Sequence, residues 1–271
     1  MSYVELETIA PHVALLRLNR PDRVNALSYA AVRELHTCLD GLADQLDTRV
    51  VILTGAGRGF CAGYDIKAHI QGENGEWEPG LGDVQAQYRM QQGYANLVLK
   101  LRRLPQPVIA AVNGPAAGGG LSLALACDLR VASEEARFNC AFVRLGLGGA
   151  ELGTAYFLPK LLGSAMAAEL MYTGRMVAAD EALRVGLVSR VVSPAELLDC
   201  ALELAREMVA TTSPFGLRAT KEVLDLAQSG LSLDAIVHLE NRNQVLARQT
   251  ADARAAAAAW VSGTKPTYQD T

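Results

Sequence analysis

PVIAAVNGPAAGGGLSLALACDLRVAS, residues 107–133, sets two strand-like runs on either side of three consecutive glycines and an apolar segment. PVIAAVNG (107–114) and LRVAS (129–133) are short and apolar, without polar alternation. They resemble RVVILTG (49–55), a β-branched run that ends in glycine. Runs of this kind suit strands buried on both faces, as in a parallel sheet covered by helices. HVALLRLNR (12–20) reads as a further strand. Residues 28–46 place Val32, Leu35, Leu39, Leu42 and Leu46 at helical spacing between the early strands. Strands alternate with helices, so the expected class is α/β.

The 271 residues suit one large domain or a core with a small appendage. A net charge of −4, with no basic stripe, argues against a nucleic-acid partner. KLRRL (100–104) reads as the exposed side of a helix end. The five cysteines, Cys38, Cys61, Cys127, Cys140 and Cys200, are widely spaced and form no CxxC. That favours a reducing compartment over a zinc site or a disulfide framework. The N-terminus lacks a signal-peptide layout and no apolar run is long enough to span a bilayer, so the expected location is the cytoplasm. His12, His36, His69 and His238 show no ligand spacing, and no metal is expected.

Residues 71–83, rich in glycine and acid, read as a loop or lid, followed by a helix to about 101. Ser193, Pro194 and Glu196 form an S-x-x-E capping box with proline at the first helical position. Helices are expected at about 215–229, 232–248 and 250–261. A helical C-terminal region after an α/β core often packs on a neighbouring subunit.

Two glycine-rich loops follow buried strands. TGAGRGFCAGYD (54–65) fails the dinucleotide fingerprint, because the third glycine would fall at Phe60. It is not a Walker A loop either. In NGPAAGGGLSLALACD (113–128) the glycines open an apolar helix. Unpaired N–H groups at such a terminus can hold an oxyanion; tight packing of the helix on the sheet would need the same glycines. GLSLA (120–124) is a near miss for a nucleophile elbow. Ser122 would need a later histidine, and only His238, in an amphipathic helix, follows it. Glu151 stands alone in LGLGGAELGTAYFLPK (145–160), either as an acid/base among apolar neighbours or as a cap for the helix that begins at GTAYFL.

Taken in order, GRGFCAGYDIK and PVIAAVNGPAAGGGLSLALACDLRVAS resemble the crotonase superfamily, the enoyl-CoA hydratase/isomerase family. NRPDRVNALS (19–28), residues 157–192, SPFGLRATKEVL and the terminal KPTY also fit, so the similarity runs from about Val4 to Tyr268. The resemblance implies a spiral of ββα turns over residues 1–192. A helical region, 193–271, would drive formation of a homotrimer or a dimer of trimers. It implies an acyl-CoA thioester as substrate, with CoA part of the substrate rather than a cofactor. By motif position, the backbone N–H groups of Tyr64 and Gly119 would bind the thioester oxygen. Arg23, Val24, Ala26, Ala62, Asp65 and Ile66 would lie along CoA. Phe142 would line the acyl pocket and Lys265 would lie near the CoA phosphates, reaching across subunits. Asp65 reads equally as a helix cap.

The family's hydratases carry two glutamates, at the positions held here by Ser122 and Phe142. With both absent, a two-acid addition of water does not carry over. AELGTAYFLPK instead resembles the segment in which Δ3,Δ2-enoyl-CoA isomerases hold a single glutamate. Dienoyl-CoA isomerases and 4-chlorobenzoyl-CoA dehalogenases carry an aspartate there. The expected chemistry is therefore double-bond isomerisation with Glu151 as the one acid/base. The alternatives are a one-carboxylate hydratase, a hydrolase or dehalogenase with Glu151 as nucleophile, and an inactive acyl-CoA- or RNA-binding member. Asp128 reads as structural. Arg144 reads equally as a partner of Glu151, a ligand for a polar acyl group, or a surface residue. His69 matches no family position securely.

Overall fold

The computed structural model describes residues 2–271. Nine strands alternate with eleven helices among these residues. The strands are β1 Val4–Ala10, β2 Val13–Leu18, β3 Val50–Gly55, β4 Val108–Val112, β5 Pro115–Ala117, β6 Leu129–Ser133, β7 Arg137–Asn139, β8 Val177–Ala178 and β9 Arg190–Val192. The helices are α1 Tyr29–Asp44, α2 Ile66–Ile70, α3 Asp83–Arg103, α4 Gly119–Ala126, α5 Thr154–Leu162, α6 Ser164–Thr173, α7 Ala179–Arg184, α8 Leu197–Thr211, α9 Pro214–Gln228, α10 Leu233–Gln249 and α11 Ala251–Ser262.

The main sheet runs β1-β2-β3-β4-β6-β9, parallel from β2 onward. Its central strands are apolar throughout because both faces are covered. Val51, Leu53, Val108 and Ala110 pack toward Val32 and Leu35 of α1 and Leu97 and Leu101 of α3. The alternate residues Val50, Ile52, Ile109 and Ala111 pack toward Leu197, Ala201 and Ala205 of α8. This is the strand period of two, read on two faces. α8 thus forms a layer of the sheet core, although it follows residue 192.

A second, short sheet runs β5-β7-β8, and single bridges join Leu27 to Tyr64 and Cys61 to Ala116. Successive turns of chain therefore give one strand to the long sheet and one short segment to a stack beside it, parallel as far as β7, where β8 pairs antiparallel. This is the expected α/β spiral with a helical C-terminal region.

Several expectations shift. The first strand, β1, outside the strands expected from the sequence, pairs antiparallel with β2. The strand expected at 12–20 spans Val13–Leu18. Leu46 lies beyond α1 and is exposed. The capping box forms differently: Ser193 N–H (3.3 Å) and Oγ (2.6 Å) both donate to the Glu196 carboxylate. Residues 194–196 make a turn, and α8 begins at Leu197.

Candidate active site

The segment that carries Arg23–Leu27 folds against the glycine-rich loop after β3. Val24 and Asn25 both adopt left-handed backbone (φ +51° and +54°), which costs about 1–2 kcal/mol per residue. The buried Asn25 side chain holds them there. Its Oδ1 accepts from Arg20 N (2.8 Å), and its Nδ2 donates to Ala56 O (2.9 Å) and Gly59 O (2.7 Å). Ala62 N then donates to Val24 O, Leu27 N to Gly63 O and Asp65 N to Leu27 O. The two loops are stitched together and Tyr64 is fixed at their edge.

The second glycine loop lies against the first. Gly120 presses on the Cys61 carbonyl, and a Cβ on Gly63 would stand 3.0 Å from Gly119 N. Close approach of the two chains, not turn formation alone, requires glycine at these positions. Tyr64 N–H and Gly119 N–H have no protein acceptor among the described residues. Gly119 opens the wholly buried α4, so its amide carries the partial positive charge of a helix N-terminus. Cys61, buried beneath, is pushed up to about 12 by burial, slightly offset by the Gly63 amide. It is an inert packing residue.

Tyr64 and Gly119 both line a cavity of about 890 Å³ that is also lined by Glu151. The helix that follows Glu151, α5, is capped by Gly153 without a side chain. The backbone does the joining: Thr154 N donates to Glu151 O (3.0 Å), and Glu151 N donates to Thr154 Oγ1 (3.0 Å). Leu152 (φ +48°) and Gly153 (φ +85°) turn the chain through left-handed backbone. The carboxylate is thereby released from capping and accepts from Gln91 Nε2 of α3 (2.8 Å). The Glu151 side chain does not cap α5.

Of the residues expected to bind substrate, Ala62, Ile66 and Phe142 line this cavity with Tyr64, Gly119 and Glu151. Arg23, Val24, Ala26 and Lys265 do not. Arg23 pairs with Glu73 (3.4 Å), and Lys265 is exposed in the tail after α11. Asp65 is buried and internally engaged. Its carboxylate caps α2 through Ala68 N (2.9 Å) and pairs with Arg20. Burial alone would raise this carboxyl. The Ala68 amide, the Arg20 hydrogen bond and charge, and the charge of Arg23 outweigh burial and hold it below the usual range. The Asp65 side chain is the helix cap, and only its backbone is left to meet a ligand.

Ser122 is fully buried with its hydroxyl on Gly118 O (3.3 Å), and His238 is exposed beside Asp234. No nucleophile elbow forms. Asp128 is structural: it accepts from Val108 N (2.8 Å) and pairs with Lys221 (2.8 Å) and Arg102 (3.3 Å). Arg144 and His69 reach the cavity, and Arg144 makes no ion pair among the described residues.

The sequence reading missed Gln91 and the ring cluster of Tyr29, Tyr64, Trp77 and Tyr94. Tyr29 and Trp77 meet edge-on with centroids 5.2 Å apart, and Tyr64 and Tyr94 meet at 5.5 Å. Burial, then the neighbouring Tyr29 hydroxyl, raises the Tyr64 phenol well above its ordinary value, so it stays neutral. The sequence marks Tyr64 only for its backbone amide; no local pattern marks the cluster, because its members converge from four separate segments.

A model of the enoyl-CoA hydratase/isomerase family matches residues 8–271. The chain belongs to the enoyl-CoA hydratase/isomerase family. It is 41% identical to the probable enoyl-CoA hydratase EchA12 of Mycobacterium tuberculosis, an alignment covering all of this chain and 94% of that one. A crystal structure of a probable enoyl-CoA hydratase/isomerase from Mycobacterium abscessus superposes with a TM-score of 0.91 at 37% identity, covering both chains fully. A monofunctional enoyl-CoA isomerase from M. smegmatis is 41% identical, with a TM-score of 0.74 over 88% of this chain and 99% of that one. As a member of this crotonase superfamily the protein is an enzyme acting on acyl-CoA thioesters. No helix of the described residues is long and apolar enough to cross a membrane.

Proposed function

We propose that the protein is a single-carboxylate enoyl-CoA isomerase. Glu151 takes a proton from C2 of a 3-enoyl-CoA and returns it at C4, and the double bond moves from C3–C4 to C2–C3. In between, negative charge rests on the thioester oxygen, held by Tyr64 N–H and Gly119 N–H. Donors fixed where charge develops are each worth about 3–4 kcal/mol, and a positioned base contributes about 10²–10⁴-fold in rate. The observation that carries this reading is the Glu151 carboxylate, free of any cap, opening into the cavity that also presents two unpartnered amides. Positions 122 and 142 supply no second acid: Ser122 is turned into the protein, and Phe142 adds apolar wall.

In this reading CoA lies along Arg23, Val24, Ala26, Ala62 and Ile66, with Asp65 shaping that loop and Lys265 approaching the phosphates from a neighbouring subunit. Residues 1–192 form the catalytic spiral, which α8 covers, and the remaining helices of 193–271 support a homotrimer or a dimer of trimers. Leu233, Val245, Trp260 and Val261, exposed on α10 and α11, supply apolar surface for that contact. The acidic net charge favours no nucleic-acid partner, and five free cysteines fit the cytoplasm.

The test is a panel of 3-enoyl- and 2-enoyl-CoAs turned over by wild type and Glu151→Gln. Isomerisation in the wild type and its loss by at least about 10²-fold in the variant are expected. Wild-type rates in the variant, or hydration alone in the wild type, would overturn the assignment.

A further inference from the structure

The ring cluster beside Glu151 shapes what the cavity can prefer. Tyr94 is its hub, 5.5 Å from Tyr64, 6.0 Å from Trp77 and 6.5 Å from Tyr29 between ring centroids. All four rings line the cavity. Two of the phenol heads already have protein acceptors: Tyr94 OH donates to Leu27 O (2.8 Å), and Tyr29 OH to Met90 Sδ (2.8 Å). What these two residues offer an acyl group is therefore ring carbon.

Trp77 is held in place from two sides. Arg33 sits over the indole at 5.0 Å and donates to the Trp77 carbonyl. On the other side the sequence has glycine at 93, inside α3, where glycine costs about 1 kcal/mol against alanine. A Cβ at 93 would stand 2.6 Å from Trp77 Cη2. The helix gives up a side chain where the indole lies. Rings locked in this way make rigid, flat walls. A flat group can meet them edge-to-face without loss of internal freedom, whereas a flexible chain must be ordered to fill the same space.

We propose that the acyl group accepted here carries an aromatic ring, seated against Trp77, Tyr29, Tyr64 and Tyr94. This rests on the reading of the cavity as the acyl-CoA site and goes beyond it in naming the acyl class. Area burial alone favours the opposite order, because a saturated chain of equal carbon count removes at least as much apolar surface from water.

The experiment is isothermal titration of the full-length protein with phenylacetyl-CoA, with octanoyl-CoA of equal carbon count, and with free CoA. Phenylacetyl-CoA should bind about tenfold tighter than octanoyl-CoA, the gain expected from ring–ring contacts. In Trp77→Leu the ratio should fall toward unity with free-CoA binding unchanged, and Trp77→Phe should restore part of it. Octanoyl-CoA binding as tightly as phenylacetyl-CoA in the wild type would overturn the ring proposal while leaving the acyl-CoA reading intact. So would an unchanged ratio in a folded Trp77→Leu. If neither thioester nor CoA binds, the acyl-CoA reading itself fails, and the ring proposal with it. The wild-type comparison decides even if the variants do not fold.

Discussion

Gly120→Ala is the sharpest perturbation of the two-loop arrangement. A methyl group at Gly120 would lie 2.7 Å from the Cys61 carbonyl carbon and 2.8 Å from Cys61 Cβ. Carbon–carbon contacts relax at about 3.5 Å, so the two segments must part by about 0.8 Å. Neither yields easily. Cys61 N donates to Pro115 O (3.0 Å) and Ala117 N to Cys61 O (3.0 Å), while α4 is buried along its whole length. Gly119 adjoins the new methyl and Tyr64 follows Cys61 closely, so the separation appears in the spacing of the two amides. A misplacement of this order costs about 10²-fold in rate. The strain costs about 1–3 kcal/mol, which for a chain of this size lowers Tm by about 5 °C. Helix propensity alone predicts the reverse sign, since alanine exceeds glycine by about 1 kcal/mol in a helix interior. The assays are kcat/KM on the enoyl-CoA that the wild type turns over, and a thermal melt of both proteins. A Gly120→Ala enzyme with kcat/KM within about twofold of wild type and an equal or higher Tm would refute the close-approach reasoning.

Gln91→Leu should lower kcat by about tenfold with KM nearly unchanged, because the amide orients the Glu151 carboxylate. Its Tm should hold, since an exposed pair contributes little to folding; equal falls in kcat and Tm would point to a structural role. Asp65 predicts acid sensitivity. Its folded carboxyl binds a proton only at lower pH than in the unfolded chain. The stability it contributes is therefore complete above the unfolded value of about 3.9 and is lost as pH falls through the folded value. Asp65→Asn, which leaves Arg20 without its partner, should lower stability at neutral pH by about 3 kcal/mol and flatten the decline of Tm toward acid. An unchanged acid limb in the melting curves would remove Asp65 as its source.

What the sequence by itself determined is local or periodic. The apolar runs at β3 and β4 announce two-sided burial, because each residue of a covered strand needs an apolar neighbour. Ser28, Ser213 and Ser232 cap α1, α9 and α10 within a few residues of chain, so the starts of these helices are written beside them. The order of the loop motifs was legible for the same reason. The tertiary structure alone decided that the Glu151 side chain leaves its helix uncapped and meets Gln91, a residue sixty positions earlier. It alone brought Trp77 to the bare face of Gly93, paired β1 with β2, and turned Asp65 toward Arg20. Spacing along a chain fixes which face a side chain occupies. Which distant group meets it there is fixed only when the spiral closes, and the cavity, its rings and the partner of its carboxylate all belong to that closure.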